Sequence, residues 1–179
     1  PNNMMLAASG ATFGWRATLP HAMGVALGFP AMLFLIALGL GEAFERSPAL
    51  REGLAWTGCA VMLWLALRIA TAAPAGDGRT GRGRPLGFLE ASAFQWINPK
   101  AWVLAIGVAA TYASGVAPVL EAALAALVFA LAGLTSSQGW SGFGAALGRL
   151  LGRGPRLRAF NAAMGGLLAL SALWLVLGG

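Results

Sequence analysis

Residues 94–102 read F-Q-W-I-N-P-K-A-W and place an asparagine, a proline and a lysine inside an apolar segment. This segment, 85–114, contains 30 residues. As one helix it would measure roughly 45 Å, which is longer than the ~30 Å that a straight membrane span must cover. Proline is favoured at the first position of a helix, and asparagine is a preferred N-cap. Asn98, Pro99 and Lys100 therefore predict a helix that is broken near its centre, with a second half-helix beginning at the break.

The overall composition is typical of a membrane protein. Hydrophobic residues make up 58% of the 179-residue chain and charged residues 10%, whereas a soluble domain carries about 25% charged residues. The mean hydropathy is +0.73. The apolar residues occur in long runs and not in the alternating segments of about ten residues that a membrane β-barrel requires. We therefore predict an all-α integral membrane protein. Its one cysteine, Cys59, excludes a disulfide framework and is expected to be a small core residue.

The apolar runs define six predicted spans in a single transmembrane domain, 1–179. A membrane helix needs about 20 apolar residues. The first run is shorter, so we expect its span to be partial here and to begin before Pro1; the other reading is a short interfacial helix. The six predicted spans are 1–15, 19–41, 53–73, 86–112, 119–148 and 159–177.

The arginines predict the orientation of these spans. Only Arg46 and Arg51 fall on one side of an alternating bundle. The other side receives nine arginines: Arg16, Arg68, Arg79, Arg82, Arg84, Arg149, Arg153, Arg156 and Arg158. Because Lys and Arg are enriched in cytoplasmic loops, we predict that loops 74–85 and 149–158 are cytoplasmic. The net charge of +6 is then a topology signal, and no nucleic-acid partner is expected.

Lys100 at the predicted break indicates a binding site for an anionic group. The start of a half-helix presents free N–H groups and a partial positive charge, to which Lys100 adds a full charge. Non-helical backbone within a bilayer is tolerated only where it lines a cavity or packs in protein, and an intramembrane lysine is a functional candidate. The alternative is a kinked helix whose lysine extends to one membrane face.

A second break of the same kind opens the chain. Pro1, Asn2 and Asn3 precede an apolar half-helix of about the same length as the one after Asn98. Each break then opens a block of three spans, and two blocks with an odd number of spans lie in opposite orientations. Interrupted helices at matching positions of two inverted repeats point to a transporter site near the membrane midplane. We therefore predict two inverted three-helix repeats with helices 1 and 4 broken.

Several stretches resemble motifs of the LysE/RhtB family of amino-acid exporters. Residues 1–10 resemble the P-G-P-N start of that family, and Phe94 to Lys100 is similar to its F-x-x-x-x-N-P-K signature. Residues 56–66 look like its third span, and residues 140–149 resemble the end of its fifth. The chain departs from the pattern in lacking the residues that usually precede Pro1, and in having Val61 where an aromatic residue is common.

The resemblance implies a six-span LysE-type bundle that exports amino acids, or close derivatives, and is driven by the proton gradient. Within the family, the motifs incline towards the branch that exports neutral amino acids and cysteine or O-acetylserine. We accordingly expect an efflux permease for small zwitterionic amino acids in the bacterial inner membrane, working by proton antiport. The expected partners are the amino-acid substrate and the lipid bilayer, with a homodimer as one assembly. No cofactor besides the proton gradient is expected.

The candidate binding residues follow from the breaks and from a polar patch on span five. We expect the substrate carboxylate at Lys100 and at the N–H groups after Pro99, with amides hydrogen-bonding its charged groups. Ser137 and Gln138 are candidates too, although they could instead join helices. Glu90 is the candidate for the coupled proton, and its other reading is a solvated interfacial charge. The full candidate set is Asn2, Asn3, Gln95, Asn98, Pro99, Lys100, Ser137 and Gln138, with Glu90 for proton coupling.

Other function classes lack the residues that they need. With one His and one Cys, the chain offers no nucleophile–base set or H-E-x-x-H motif for an intramembrane enzyme, and no phosphate-binding loop for ATP hydrolysis. A cation or metal exporter of the same superfamily remains the first alternative, although it would need a cluster of Asp, His or Cys at depth. A non-transporting membrane assembly subunit is the second, since such a protein could tolerate Lys100.

Overall fold

The computed structural model describes residues 1–72, 83–112 and 114–177, and these residues are predominantly helical. The first half of the chain contains α1 (Asn2–Phe13), α2 (Trp15–Leu35), a π-helical turn (Ile36–Leu40), α3 (Gly41–Arg46) and α4 (Pro48–Ala70). The second half contains α5 (Phe88–Ile97), α6 (Pro99–Tyr112), α7 (Pro118–Leu151) and α8 (Pro155–Leu177). The expected all-α class is confirmed. Most of the predicted loop 74–85 lies outside the described residues.

Four helical segments are long and apolar enough to cross a membrane. They are Trp15–Arg46, Pro48–Ala70, Pro118–Leu151 and Pro155–Leu177. Helices α5 and α6 contain 10 and 14 residues. Each is too short to span alone, but together they have the length of one span. Helix α7 contains 34 residues and continues past the predicted end at 148, because a helix need not stop where the hydrocarbon layer ends.

Glycine allows two pairs of helices to approach closely. A Cβ at Gly144 or Gly148 of α7 would collide with the backbone of Ala7 or Ala11 on α1. On the other side of the bundle, a Cβ at Gly24 of α2 would collide with the backbone of α5. Small residues that let backbones meet are typical of membrane helix interfaces. These contacts hold the two short helices, α1 and α5, against the long helices α7 and α2.

Two apolar clusters form the core, and the break between α5 and α6 lies between them. Phe94 near the end of α5 packs into a cluster with Met62 and Leu168. Trp102 in the first turns of α6 packs into a second cluster with Met32 and Phe44. Cys59 is buried in the first cluster, as expected for a small core residue. Helix α5 therefore packs mainly in the first cluster and α6 in the second, with Trp96 of α5 also packed against the second.

Candidate functional site

The structure confirms the break and the start of a half-helix at Pro99. Helix α5 ends at Ile97, and Asn98 has an extended backbone with φ −93° and ψ 103°. The Asn98 carbonyl accepts hydrogen bonds from the N–H groups of Ala101 at 2.9 Å and Trp102 at 3.4 Å. Pro99 has no N–H, and N–H groups of a first helical turn have no acceptor within their own helix. The positive end of the α6 dipole therefore lies at the break.

The Asn98 side chain does not act as the N-cap that its position suggests. Its residue is 3% exposed, and its Oδ1 has no hydrogen-bond partner among the described residues. A buried amide oxygen without a partner is costly, because it has lost water and gained nothing. This oxygen is therefore an acceptor available to a ligand at the break.

The Trp96 carbonyl, near the end of α5, accepts a hydrogen bond from a tryptophan on the other side of the break. Trp102 Nε1 donates to the Trp96 carbonyl at 2.8 Å. The Trp102 ring is stacked on Phe44 of α3, with ring centroids 4.7 Å apart and planes at 13°. Trp102 thus bridges α5 and α6 and connects the break to the segment before α4.

The start of α1 lies next to the break between α5 and α6. Asn2 Nδ2, in the first turn of α1, donates to Gln95 Oε1 in the last turn of α5 at 2.9 Å. Gln95 Nε2 donates to the Ala91 carbonyl at 2.8 Å and makes a longer contact of 3.4 Å with Asn2 Oδ1. Gln95 is completely buried, so this polar pair is held away from water between the two half-helices.

A cavity of about 1240 Å³, counting its open mouth, lies at this junction. It contains six of the eight predicted binding residues, namely Asn2, Asn3, Gln95, Asn98, Lys100 and Ser137. Lys100 is exposed and lines both this cavity and a neighbouring one against α8, and the buried Ser137 lies at the wall of this one. These polar groups come from α1, the break and α7, so the cavity depends on the packing of all three.

The remaining two predicted residues lie elsewhere. Pro99 is buried behind the cavity, where an added Cβ on Gly58 of α4 would come within 2.7 Å of its ring. The Gln138 Oε1 accepts a hydrogen bond from Trp15 Nε1 at 2.8 Å, away from the cavity. Ser137 and Gln138 diverge because adjacent helical residues point about 100° apart. Gln138 stays a prediction for the binding site, without a contact that supports it.

Sequence reasoning did not identify the wall that α2 contributes. Ala26, Phe29 and Pro30 line the cavity, and Phe29 packs against Phe129 of α7 with ring centroids 5.5 Å apart. Pro30 has no N–H to give the Ala26 carbonyl one turn earlier, so that carbonyl lacks its usual helical donor. Two features of the sequence could have identified this wall. One is Pro30 inside the second predicted span, and the other is the i, i+3, i+4 spacing of Ala26, Phe29 and Pro30, which places them on one face of a helix.

Glu90, in the first turn of α5, forms an ion pair with Arg84, which precedes the helix. Arg84 Nη1 and Nη2 donate to the two Glu90 carboxylate oxygens at 2.6 and 2.7 Å. The Gly87 N–H donates to Glu90 Oε2 at 2.7 Å. The hydrogen bonds to Glu90 raise the pKa of the Arg84 guanidinium. Both side chains are well exposed, and the bidentate geometry is that of a charged carboxylate.

The site offers little to a metal ion. Among residues 1–72, 83–112 and 114–177, no three His, Cys, Asp or Glu side chains come together in a group that could hold one. The described lining of the central cavity contains no acidic residue. Its donors and acceptors are an ammonium group, amides, a hydroxyl and backbone carbonyls.

Curated proteins of the same description from two organisms are similar to this chain. A cysteine/O-acetylserine efflux protein of Salmonella typhimurium (strain LT2) is 34% identical over 115 residues, covering 63% of this chain and 56% of that protein. The protein of the same description from Escherichia coli (strain K12) is 33% identical over 103 residues, covering 56% of this chain and 50% of that protein. The chain thus spans about half the length of the curated relatives that it matches. No solved structure matches it.

The family comparison covers the entire chain. The sequence matches the LysE type translocator family over residues 1–179. That family is a class of membrane transporters and not of enzymes, in agreement with the all-helical fold and its apolar spans. The resemblance drawn from the two Pro/Asn motifs is confirmed, and the chain belongs to the LysE type translocator family.

Proposed function

We propose that this protein exports small zwitterionic amino acids, or close derivatives of them, through the cavity at the two helix breaks. The observation that carries the proposal is the position of Lys100. Lys100 lines the cavity at the N-terminal end of α6, where the helix dipole and the lysine charge add. That end of the cavity suits the carboxylate common to all amino acids.

The other groups at the break suit a neutral substrate. The unpartnered Asn98 Oδ1 can accept a hydrogen bond from the substrate ammonium group. Because no acidic residue lies in the described lining of the cavity, a basic side chain on the substrate would find no counter-ion there. Phe29 and Phe129 provide an apolar wall for a small side chain.

The relatives support this substrate class. The curated proteins that the chain resembles are named as cysteine/O-acetylserine efflux proteins, and both compounds are small zwitterions. We therefore place this protein in the bacterial inner membrane as an efflux permease for compounds of that size. Proton antiport, with Glu90 as the candidate for the coupled proton, no cofactor, and assembly as a homodimer are parts of the same proposal.

The two core clusters suggest how the cavity opens alternately. Helix α5 packs mainly in one cluster and α6 in the other, so relative movement of the clusters would change the cavity at Asn98. Alternating access by rocking of repeats around a fixed site is typical of transporters with broken helices.

The export activity can be tested in bacterial cells that lack their own amino-acid exporters. Cells that express the protein are loaded with dipeptides, and every amino acid that appears outside is measured beside cells with an empty vector. The divalent cation content of the cells is measured in parallel. We expect release of a few small neutral amino acids. Cation release without amino-acid release would favour the metal-exporter alternative, and neither activity from correctly inserted protein would contradict transport.

A further inference from the structure

A second, smaller cavity with polar walls lies between α1, α2 and α4, apart from the site at the breaks. Its volume is about 440 Å³ counting its open mouth, but the part of that space in which a water-sized molecule fits is about 50 Å³, compared with about 530 Å³ in the central cavity. The polar side chains that line it are Ser9, Thr12, His21, Arg68 and Arg84. Its apolar walls are formed by residues such as Phe13, Leu65 and Leu86. A cavity with one polar side and one apolar side suits a small amphipathic ligand.

His21 presents an unused hydrogen-bonding group at this cavity. The residue is 1% exposed, and its Nδ1 lies 3.4 Å from Ser9 Oγ. Its Nε2 has no partner among the described residues. Native proteins pair nearly all of their buried polar groups, so an unpaired ring nitrogen beside a cavity is a candidate for contact with a ligand. If the Ser9 hydroxyl donates to Nδ1, then Nε2 carries the proton and acts as a donor.

Arg68 supplies the positive charge of this cavity. Its guanidinium lies 4.9 Å from the centre of the Trp64 ring, and its Nη2 donates to the Arg84 carbonyl at 3.3 Å. These contacts use few of its five N–H donors among residues 1–72, 83–112 and 114–177. Within the described part of the chain, no carboxylate lies at ion-pair distance from Arg68. The Arg84 side chain, in contrast, donates two hydrogen bonds to the Glu90 carboxylate.

The small cavity lies directly in line with the central one. His21, Val25 and Phe29 occupy successive turns on one face of α2, and Val25 and Phe29 line the central cavity whereas His21 lines the small one. Four helical residues correspond to a rise of about 6 Å. The apolar core cluster that contains Met5, Val25 and Leu65 separates the two. Two polar cavities are therefore stacked along the same helices with an apolar layer between them.

We propose that the small cavity is a second binding site for the exported amino acid, on the side of the membrane that holds the Arg-rich connections. Arg68 pairs with the substrate carboxylate, and His21 Nε2 donates a hydrogen bond to it. The apolar walls take the small side chain. This inference rests on the proposed function, since the ligand enters here before it crosses the apolar layer to Lys100.

Binding stoichiometry tests this inference. The purified protein in lipid nanodiscs is titrated with radiolabelled L-cysteine under reducing conditions, and bound ligand per chain is measured. We expect two molecules per chain in the wild type and one in Lys100→Ala. We also expect one in Arg68→Gln, and none in the double variant. Arg158→Gln removes an equally charged, exposed arginine near the start of α8 and serves as the matched control, with two sites retained.

A pair of histidine variants separates ligand contact from folding. The His21→Asn side chain keeps a polar group near Ser9, but it is too short to place an atom at the position of Nε2. We expect this variant to bind one L-cysteine per chain. His21→Gln can place its amide N–H where Nε2 lies, and we expect it to restore the second site at least in part. Circular dichroism and thermal unfolding confirm that each variant is folded before it is titrated.

The outcomes distinguish the two proposals. A single site that is lost in Lys100→Ala, but unaffected by both Arg68→Gln and His21→Asn, overturns the second site and leaves the proposed function in place. A second site that is insensitive to both of these substitutions also overturns it, because the ligand then binds elsewhere. No binding by any folded protein contradicts the proposed function and this inference with it.

Discussion

Asn2 and Gln95 are 93 positions apart in the sequence, and their side-chain amides are joined by a 2.9 Å hydrogen bond where the two half-helices α1 and α5 meet. Gln95 is completely buried, so the pair lies in a setting from which water is largely excluded. An amide pair of this kind both orients the cavity wall and connects the ends of the two half-helices.

Replacement of Gln95 should therefore affect folding and transport together. In Gln95→Leu the bonds to Asn2 and Ala91 are lost, and Asn2 is left without its partner. We expect the free energy of unfolding to fall by about 1–3 kcal/mol, and amino-acid export to fall with it. Thermal unfolding in detergent and efflux from cells measure the two effects. Trp15→Phe, which removes only the exposed bond to Gln138, is the control. Wild-type stability and export in Gln95→Leu would contradict the structural role of the pair.

The close approach of α1 and α7 predicts a difference between two neighbouring glycines. A Cβ at Gly144 would overlap the Ala7 backbone, whereas a Cβ at Gly142 would meet nothing within 4 Å. We expect Gly144→Ala to destabilise the protein by about 1–3 kcal/mol through overpacking. Gly142→Ala should be neutral or stabilise it by up to about 1 kcal/mol, because alanine favours the helix. Equal unfolding temperatures for the two variants would show that these helices do not pack as described.

The Trp102 indole N–H is predicted to stabilise the break. Trp102→Phe keeps an aromatic ring on Phe44 but removes the donor to the Trp96 carbonyl. We expect a loss of about 1 kcal/mol in the free energy of unfolding, the usual contribution of one hydrogen bond, and slower export. Trp140→Phe, at an exposed position on α7, provides the comparison. The prediction fails if both variants unfold at the same temperature and export at the same rate.

The proposal that Glu90 carries the coupled proton has its own consequence. The Arg84 pair must open before this carboxylate can bind a proton, because the bidentate contact uses both of its oxygens. Under that proposal, Glu90→Gln retains amino-acid binding but no longer moves protons with the substrate. Proton uptake by proteoliposomes during L-cysteine export measures the coupling, with Glu52→Gln at an exposed position of α4 as the control. Undiminished proton movement in Glu90→Gln would exclude Glu90 as the carrier.

Local sequence rules were sufficient to predict the broken helix. Asn98 and Pro99 are residues that end one helix and begin another, and they do so in the structure because their backbone preferences are intrinsic. The membrane class followed equally directly from the long apolar runs. Both features depend on short segments, so packing of the rest of the chain does not alter them.

The composition of the cavity was less accessible, because it depends on distant contacts. The pairing of Asn2 with Gln95 requires α1 to lie against α5, which no local pattern states. Ser137 and Gln138 were adjacent candidates, but only Ser137 lines the cavity, because the orientation of α7 is set by its glycine contacts. The His21 cavity likewise arises from three helices that converge from separate parts of the chain.

Export by a Lys100→Ala variant tests the central claim most directly. Lys100 is exposed, lines the cavity and makes no hydrogen bond or ion pair among the described residues, so its removal should leave the fold intact. The measurement is the initial rate of L-cysteine export in proteoliposomes that contain equal amounts of folded wild type, Lys100→Ala and Lys100→Arg. A charged hydrogen bond contributes about 1.5–3 kcal/mol, and 1.4 kcal/mol corresponds to a factor of ten. We therefore expect Lys100→Ala to be slower by about tenfold or more and Lys100→Arg to retain part of the activity. Export by Lys100→Ala at the wild-type rate would contradict a carboxylate site at the helix break.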